Sequence, residues 1–157
     1  MKQDKFLTGI LIGVGALVVL ALTLFFTRQG KQDYLPETAP ENIVHNYGLA
    51  VLNKDYEKAY EYLADLKYKP TYEEFRQSFL NGMVIPENTG LDIGEATLTG
   101  DEAVVELTLY YSYSDPFSSR VGTPDRAVLV QQGGDWKISL MPYTFWDYKW
   151  YQEPYIP

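Results

Sequence analysis

One stretch constrains this chain before any other: from Phe6 to Phe26, "FLTGILIGVGALVVLALTLFF" runs twenty-one residues without a charge. Lys2 and Lys5 precede it, and Arg28 and Lys31 follow. As a helix it would rise about 31 Å, enough for a hydrocarbon layer of about 30 Å, so the run predicts a single transmembrane helix over 6–26. A cleaved signal peptide competes with that reading, but it calls for a shorter apolar region and a small-x-small cleavage site, whereas this segment ends Phe25-Phe26-Thr27-Arg28. With no cysteine in the chain, lipidation at a lipobox, disulfides and thiolate chemistry are excluded. Two basic residues on each side give a near tie in charge bias. A stub of residues 1–5 with Lys2 and Lys5 favours an inside N-terminus and an extracytoplasmic C-terminal domain. Gly9, Gly13 and Ala16 share one face of the helix, a spacing that lets another helix approach closely, although glycine is common in such helices anyway.

Residues 27–37, "TRQGKQDYLPE", are polar and broken by Gly30 and Pro36, which reads as a linker. A soluble domain is expected over 38–142. Thr38 and Glu41 are spaced as a capping box, with Pro40 in the first turn, and Ile43, Tyr47, Ala50 and Val51 then form an apolar stripe. Asp55 caps a second helix carrying Tyr56, Ala59, Tyr60 and Leu63. Thr71 and Glu74 open a third, which presents Phe75 and Phe79 before Asn81-Gly82 stops it.

The period then changes from 3.6 to 2. In "AVVELTLYYSYS" one face reads Ala103, Val105, Leu107, Leu109, Tyr111 and Tyr113. A weaker strand covers Leu91 to Leu98, "RAVLVQQ" forms another, and Gly133-Gly134 turns into "DWKISLM", where Trp136, Ile138 and Leu140 alternate with Lys137 and Ser139. Helices followed by hairpin-linked strands indicate an α+β domain with an antiparallel sheet.

"AVLNKDYEKAYEYLAD", the helix at 71–81 and the closing "GGDWKISL" together resemble the nuclear transport factor 2-like superfamily, which includes polyketide cyclases and ketosteroid isomerase. The resemblance covers about residues 38 to 141 and implies three helices packed on a curved antiparallel sheet, a cone enclosing a pocket. The superfamily holds enzymes, binders and structural subunits alike, so fold does not carry function.

The formal net charge of −8 opposes nucleic-acid binding, which needs a basic face. The sole histidine, His45, lies off the strongest apolar stripe and belongs to no nucleophile motif. The pairs Glu73-Glu74 and Asp101-Glu102 are adjacent and so point to different faces, which gives no metal site. Isomerase members of the superfamily use an Asp base, but Asp65, Asp92 and Asp115 fall at element ends, where solvated carboxylates are the rule. No cofactor and no catalytic residue is expected. A cone lined by Tyr60, Leu109, Tyr111, Tyr113 and Trp136 would take a flat or apolar ligand, unless those side chains simply fill the core.

The chain closes with "YTFWDYKWYQEPYIP", a tail over 143–157. Tyr143, Phe145, Trp146, Tyr148, Trp150 and Tyr151 there could seal the domain's own sheet, dock at lipid headgroups or anchor a partner. The reading taken from all of this is a non-catalytic accessory subunit of a membrane complex. Its partners would be the bilayer and other subunits or itself; a tethered ligand binder or an isomerase-like enzyme is the alternative.

Overall fold

A computed structural model describes residues 5–28, 32–111 and 121–153. The chain divides into two compact units, Met1–Asp33 and Tyr34–Pro157. The first holds helix α1, Lys5–Arg28. Among the described residues no helix is long and apolar enough to cross a membrane. The expected transmembrane helix over 6–26 is corrected accordingly, and the extracytoplasmic placement and the bilayer as partner, both drawn from it, lose their basis. Gly9, Gly13 and Ala16 are exposed on α1.

The second unit is an α+β domain. Helices α2 (Pro40–Leu52), α3 (Tyr56–Glu61) and α4 (Tyr72–Leu80) precede four strands, β1 (Thr89–Thr99), β2 (Glu102–Tyr111), β3 (Gly122–Gln132) and β4 (Asp135–Leu140). The strands pair in chain order, each antiparallel to the next. This meander follows from short turns: Gly133 and Gly134 both take positive φ, +65° and +97°, which a non-glycine residue reaches only with strain.

Helix starts follow local chemistry. At α4 the Thr71 hydroxyl accepts from the Glu74 amide while the Glu74 carboxylate accepts from the Thr71 amide, a complete capping box. Asp55 caps α3 through the Lys58 amide. The box expected of Thr38 and Glu41 does not form, because α2 begins at Pro40 with Ala39 as its N-cap and no side-chain cap. Glu41 is therefore one position too early, and its carboxylate accepts instead from the Ala96 amide on β1, at 3.0 Å.

The inner face of β2 is as its alternation predicts: Ala103, Val105, Leu107 and Leu109 are buried. They meet Ile43, Val44, Tyr47, Ala50 and Val51 of α2, with Ala127, Leu129 and Ile138 from the neighbouring strands, in one core. Gly48 lets α2 settle on β1, since a Cβ there would lie 3.2 Å from a Leu91 methyl. Leu140 departs from the expected alternation. Leu129 opposes Ile138 but Val128 opposes Leu140, so Ser139 is an extra residue and Leu140 turns to the outer, more exposed face.

Two features close the margins. The free edge of β4 is bridged by the chain after α3, with Ala64 N–H donating to the Ile138 carbonyl and Ile138 N–H to the Tyr62 carbonyl, each at 2.8 Å. Residues from Tyr34 onward, expected within a flexible linker, are pinned instead. The buried Asn46 amide accepts from Leu35 N–H at 2.7 Å and donates to Leu35 C=O at 2.8 Å. Glu37 accepts from the Tyr62 hydroxyl at 2.8 Å and pairs with Lys58 at 3.2 Å.

Candidate functional site

The tail beyond β4 folds back as a series of turns over residues 143–151 and packs on the helices. Phe145, Trp146 and Trp150 are buried in the core. Trp150 stands 4.8 Å from Phe75 and 6.0 Å from Phe79 by ring centres, while Trp146 meets Tyr47, Trp150 and Tyr151 at 6.3, 4.9 and 5.7 Å. These packed rings account for most of the aromatic density of the terminus, because each gains both apolar burial and edge or stacking contacts.

The tail is thus part of the domain over the described residues, and a boundary at 142 is corrected. Phe145, Trp146 and Trp150 are likewise corrected as partner or membrane anchors, since none reaches solvent enough to be touched. Tyr151 is half-buried; its hydroxyl donates to the Ala64 carbonyl and its amide to the Tyr68 carbonyl. Tyr143 and Tyr148 alone of the six stand out, at 69% and 59% exposure.

Among the described residues, those expected to line a cone pocket sit in or against one core rather than around a common concavity. Leu109 is core. Tyr60 turns its hydroxyl to the Pro70 carbonyl at 2.8 Å and sets its ring edge-on to Phe75 and Tyr72. Trp136 packs against the core from β4. Tyr111 reaches the tail, its hydroxyl 3.4 Å from that of Thr144, and Tyr113 lies outside the described residues. Of this set Tyr111 borders a concavity beside the tail.

Two concavities flank the tail. The larger, about 880 Å³, lies between α4 and residues 147–153, with Tyr68, Glu74, Ser78, Asn81, Asp147 and Tyr148 among its walls. Its floor is polar and fixed: the Asp147 carboxylate, 5% exposed, accepts from the Ser78 hydroxyl at 2.7 Å and from Lys149 N–H at 3.0 Å. The smaller, about 470 Å³, is bordered by Met83, Ile85, Glu87, Tyr111, Tyr143 and Thr144. Met83 borders both. Sequence periodicity passed over Met83 and Ile85 because they follow the Gly82 break. Their alternation about the buried Val84 is the signal that places both outward.

Catalytic geometry is thin. Ser78 and Asp147 are bonded directly, with no imidazole between them to take a proton from the hydroxyl. His45 lies half-buried on α2, its Nδ1 3.3 Å from Asn46 Oδ1. Among the described residues no three His, Cys, Asp or Glu side chains are grouped to hold a metal ion. Electrostatics follow burial rather than any charge relay. The Tyr47 hydroxyl is pushed well above its ordinary range by burial, and Tyr151 is raised by burial first and by the neighbouring Tyr60 and Asp65 second.

No protein-family model matches the chain, and no curated protein does. Solved structures similar to it include an uncharacterized cystatin fold protein from Novosphingobium aromaticivorans, 13% identical, covering 62% of this chain and 93% of that one with a TM-score of 0.42. Another is a Thiobacillus denitrificans protein assigned as a calcium/calmodulin-dependent protein kinase type II association domain, 10% identical, covering 68% and 93% with a TM-score of 0.48. At these identities and scores the likeness carries neither a family nor an activity over to this chain.

Proposed function

We propose that residues 34–153 form a nuclear transport factor 2-like cone used as a non-catalytic protein-binding module, docking a different protein on the strip made by Met83, Ile85 and Tyr143. One observation carries this reading: the three side chains are 62%, 60% and 69% exposed and border a single concavity, so their apolar surface is contiguous rather than scattered. Tyr and Met are favoured at interface centres. Support for the cone comes from helices that precede a meander and pack on it, and from register shifts in β1 and in the β3–β4 pair, which bend a sheet.

Charge selects the occupant. Among the described residues Glu87 is the one charged residue bordering the concavity, and the whole chain carries −8, so a second copy would meet like charge. The partner is accordingly a different chain, apolar where it touches Ile85 and basic at its margin. A photo-crosslinking residue at position 85, used in cells, tests this. The reading requires an adduct with one other protein that disappears in Met83→Asp and Tyr143→Ala and whose purified form binds more weakly as salt rises. Adducts only between copies of this chain, or adducts indifferent to both substitutions, would contradict it.

A further inference from the structure

The larger cleft lies beside that strip but has a different chemistry. We infer that it is a binding site for a neutral saccharide, a pyranose or short oligosaccharide. Its volume of about 880 Å³ is in the range of small-molecule sites. Lys69 and Lys149 are interspersed with Glu74, Asp147 and Glu153 along its walls, so neither a strongly anionic nor a strongly cationic ligand meets a complementary field. A wholly apolar ligand would leave the polar groups of the cleft without partners.

What remains is a ligand with hydroxyls around its rim and an apolar face. A pyranose ring has that form: its hydroxyls both donate and accept, and its axial C–H bonds present one greasy side. The cleft answers both requirements. The exposed ring of Tyr148 supplies a flat platform, and the half-buried Tyr68 stands on the same cleft. Lys149 lies 5.7 Å from the Tyr148 ring centre, at the outer limit of cation–π contact, and is easily displaced.

Acceptors and donors are set at fixed depth. Asp147 is held by Ser78 and by Lys149 N–H, one bond on each carboxylate oxygen, and each oxygen retains capacity for a sugar hydroxyl. Among the described residues the Asn81 and Gln152 side-chain amides, both on the cleft, have no protein partner. An amide offers one acceptor and two donors, which matches vicinal hydroxyls.

The test is titration of the purified full chain with cellotriose, maltotriose and the N-acetylglucosamine trimer, read by saturation-transfer NMR and by tryptophan fluorescence near Trp150. At least one should bind saturably. Tyr148→Ala should weaken it about tenfold, and Tyr148→Phe should retain it, because the ring rather than the hydroxyl is used. Asn81→Ala should also weaken it, whereas Ile85→Asp, on the protein-docking strip, should leave it unchanged. Tyr148 is exposed, so its variants keep the fold, which circular dichroism verifies. Absence of saturable binding of all three sugars up to about 10 mM, or binding indifferent to Tyr148→Ala and Asn81→Ala, would overturn the inference.

Discussion

The Tyr47 hydroxyl on α2 donates to the backbone carbonyl of Phe145 at 2.7 Å, joining residues 98 positions apart in a fully buried setting. That bond ties the first helix of the domain to the tail. Tyr47→Phe leaves the Phe145 carbonyl buried without a donor while changing the volume little. A loss of about 1–3 kcal/mol is expected, seen as a lower urea midpoint at unchanged slope.

Asn46 fixes the start of the domain by pairing with both backbone groups of Leu35. Asn46→Asp keeps the shape and the acceptor but sets a carboxylate oxygen against the Leu35 carbonyl. Stability should fall by about 3 kcal/mol or more, since a buried charge is left facing an acceptor. Hydrogen exchange localises the effect: the Leu35 amide should lose protection in the variant, while amides on β2 keep theirs relative to the global value.

Much of this architecture is legible in the sequence, and the illegible part has physical causes. The Thr71–Glu74 box, the Asp55 cap and the alternation through Ala103 to Leu109 are local signals, and each forms as read. The tail has no such signal. Pro142 and Pro154 exclude a regular strand, and the burial of Phe145, Trp146 and Trp150 depends on Tyr47, Phe75 and Phe79, residues far away in the chain. Leu140 reads as inward-facing by alternation, but one extra residue reverses its side-chain face at no visible cost in composition. The cleft residues Ser78, Asn81 and Asp147 are ordinary polar positions until the tail brings them together.

Alkaline pH should weaken the domain. The ordinary tyrosine value is 10.0; Tyr62 is pushed up to about 12, by burial first and by its bond to Glu37 second, and burial also raises Tyr47 and Tyr151. A folded-state value above the unfolded one means that the folded chain holds its proton more tightly. The stabilisation is therefore complete below pH 10 and is lost as pH rises from there toward the folded-state values. Denaturant midpoints should decline between about pH 10 and 12, with Tyr62→Phe making the decline shallower.

Acid acts on the same contact from the other side. The Tyr62 hydroxyl holds Glu37 below its ordinary 4.5, with Lys58 adding to the effect against partial burial. A depressed carboxylate stabilises the fold above its unfolded value and loses that contribution as pH falls through the folded one. Glu37 is half exposed, so the loss should be under about 1 kcal/mol, and Glu37→Gln should remove its share of the acid dependence.

The most direct measurement compares thermal unfolding of the full chain with a chain ending at Pro142. Truncation would strip three large aromatic side chains from the core and bare Tyr47, Phe75 and Phe79 to water. Each loss of a buried Phe or Trp costs about 3–5 kcal/mol against a total stability of about 5–15 kcal/mol. The truncated chain should show no cooperative transition near that of the full chain. If it melts cooperatively at the same temperature, the tail is a dispensable appendage, and the assignment of Phe145, Trp146 and Trp150 to the core is wrong.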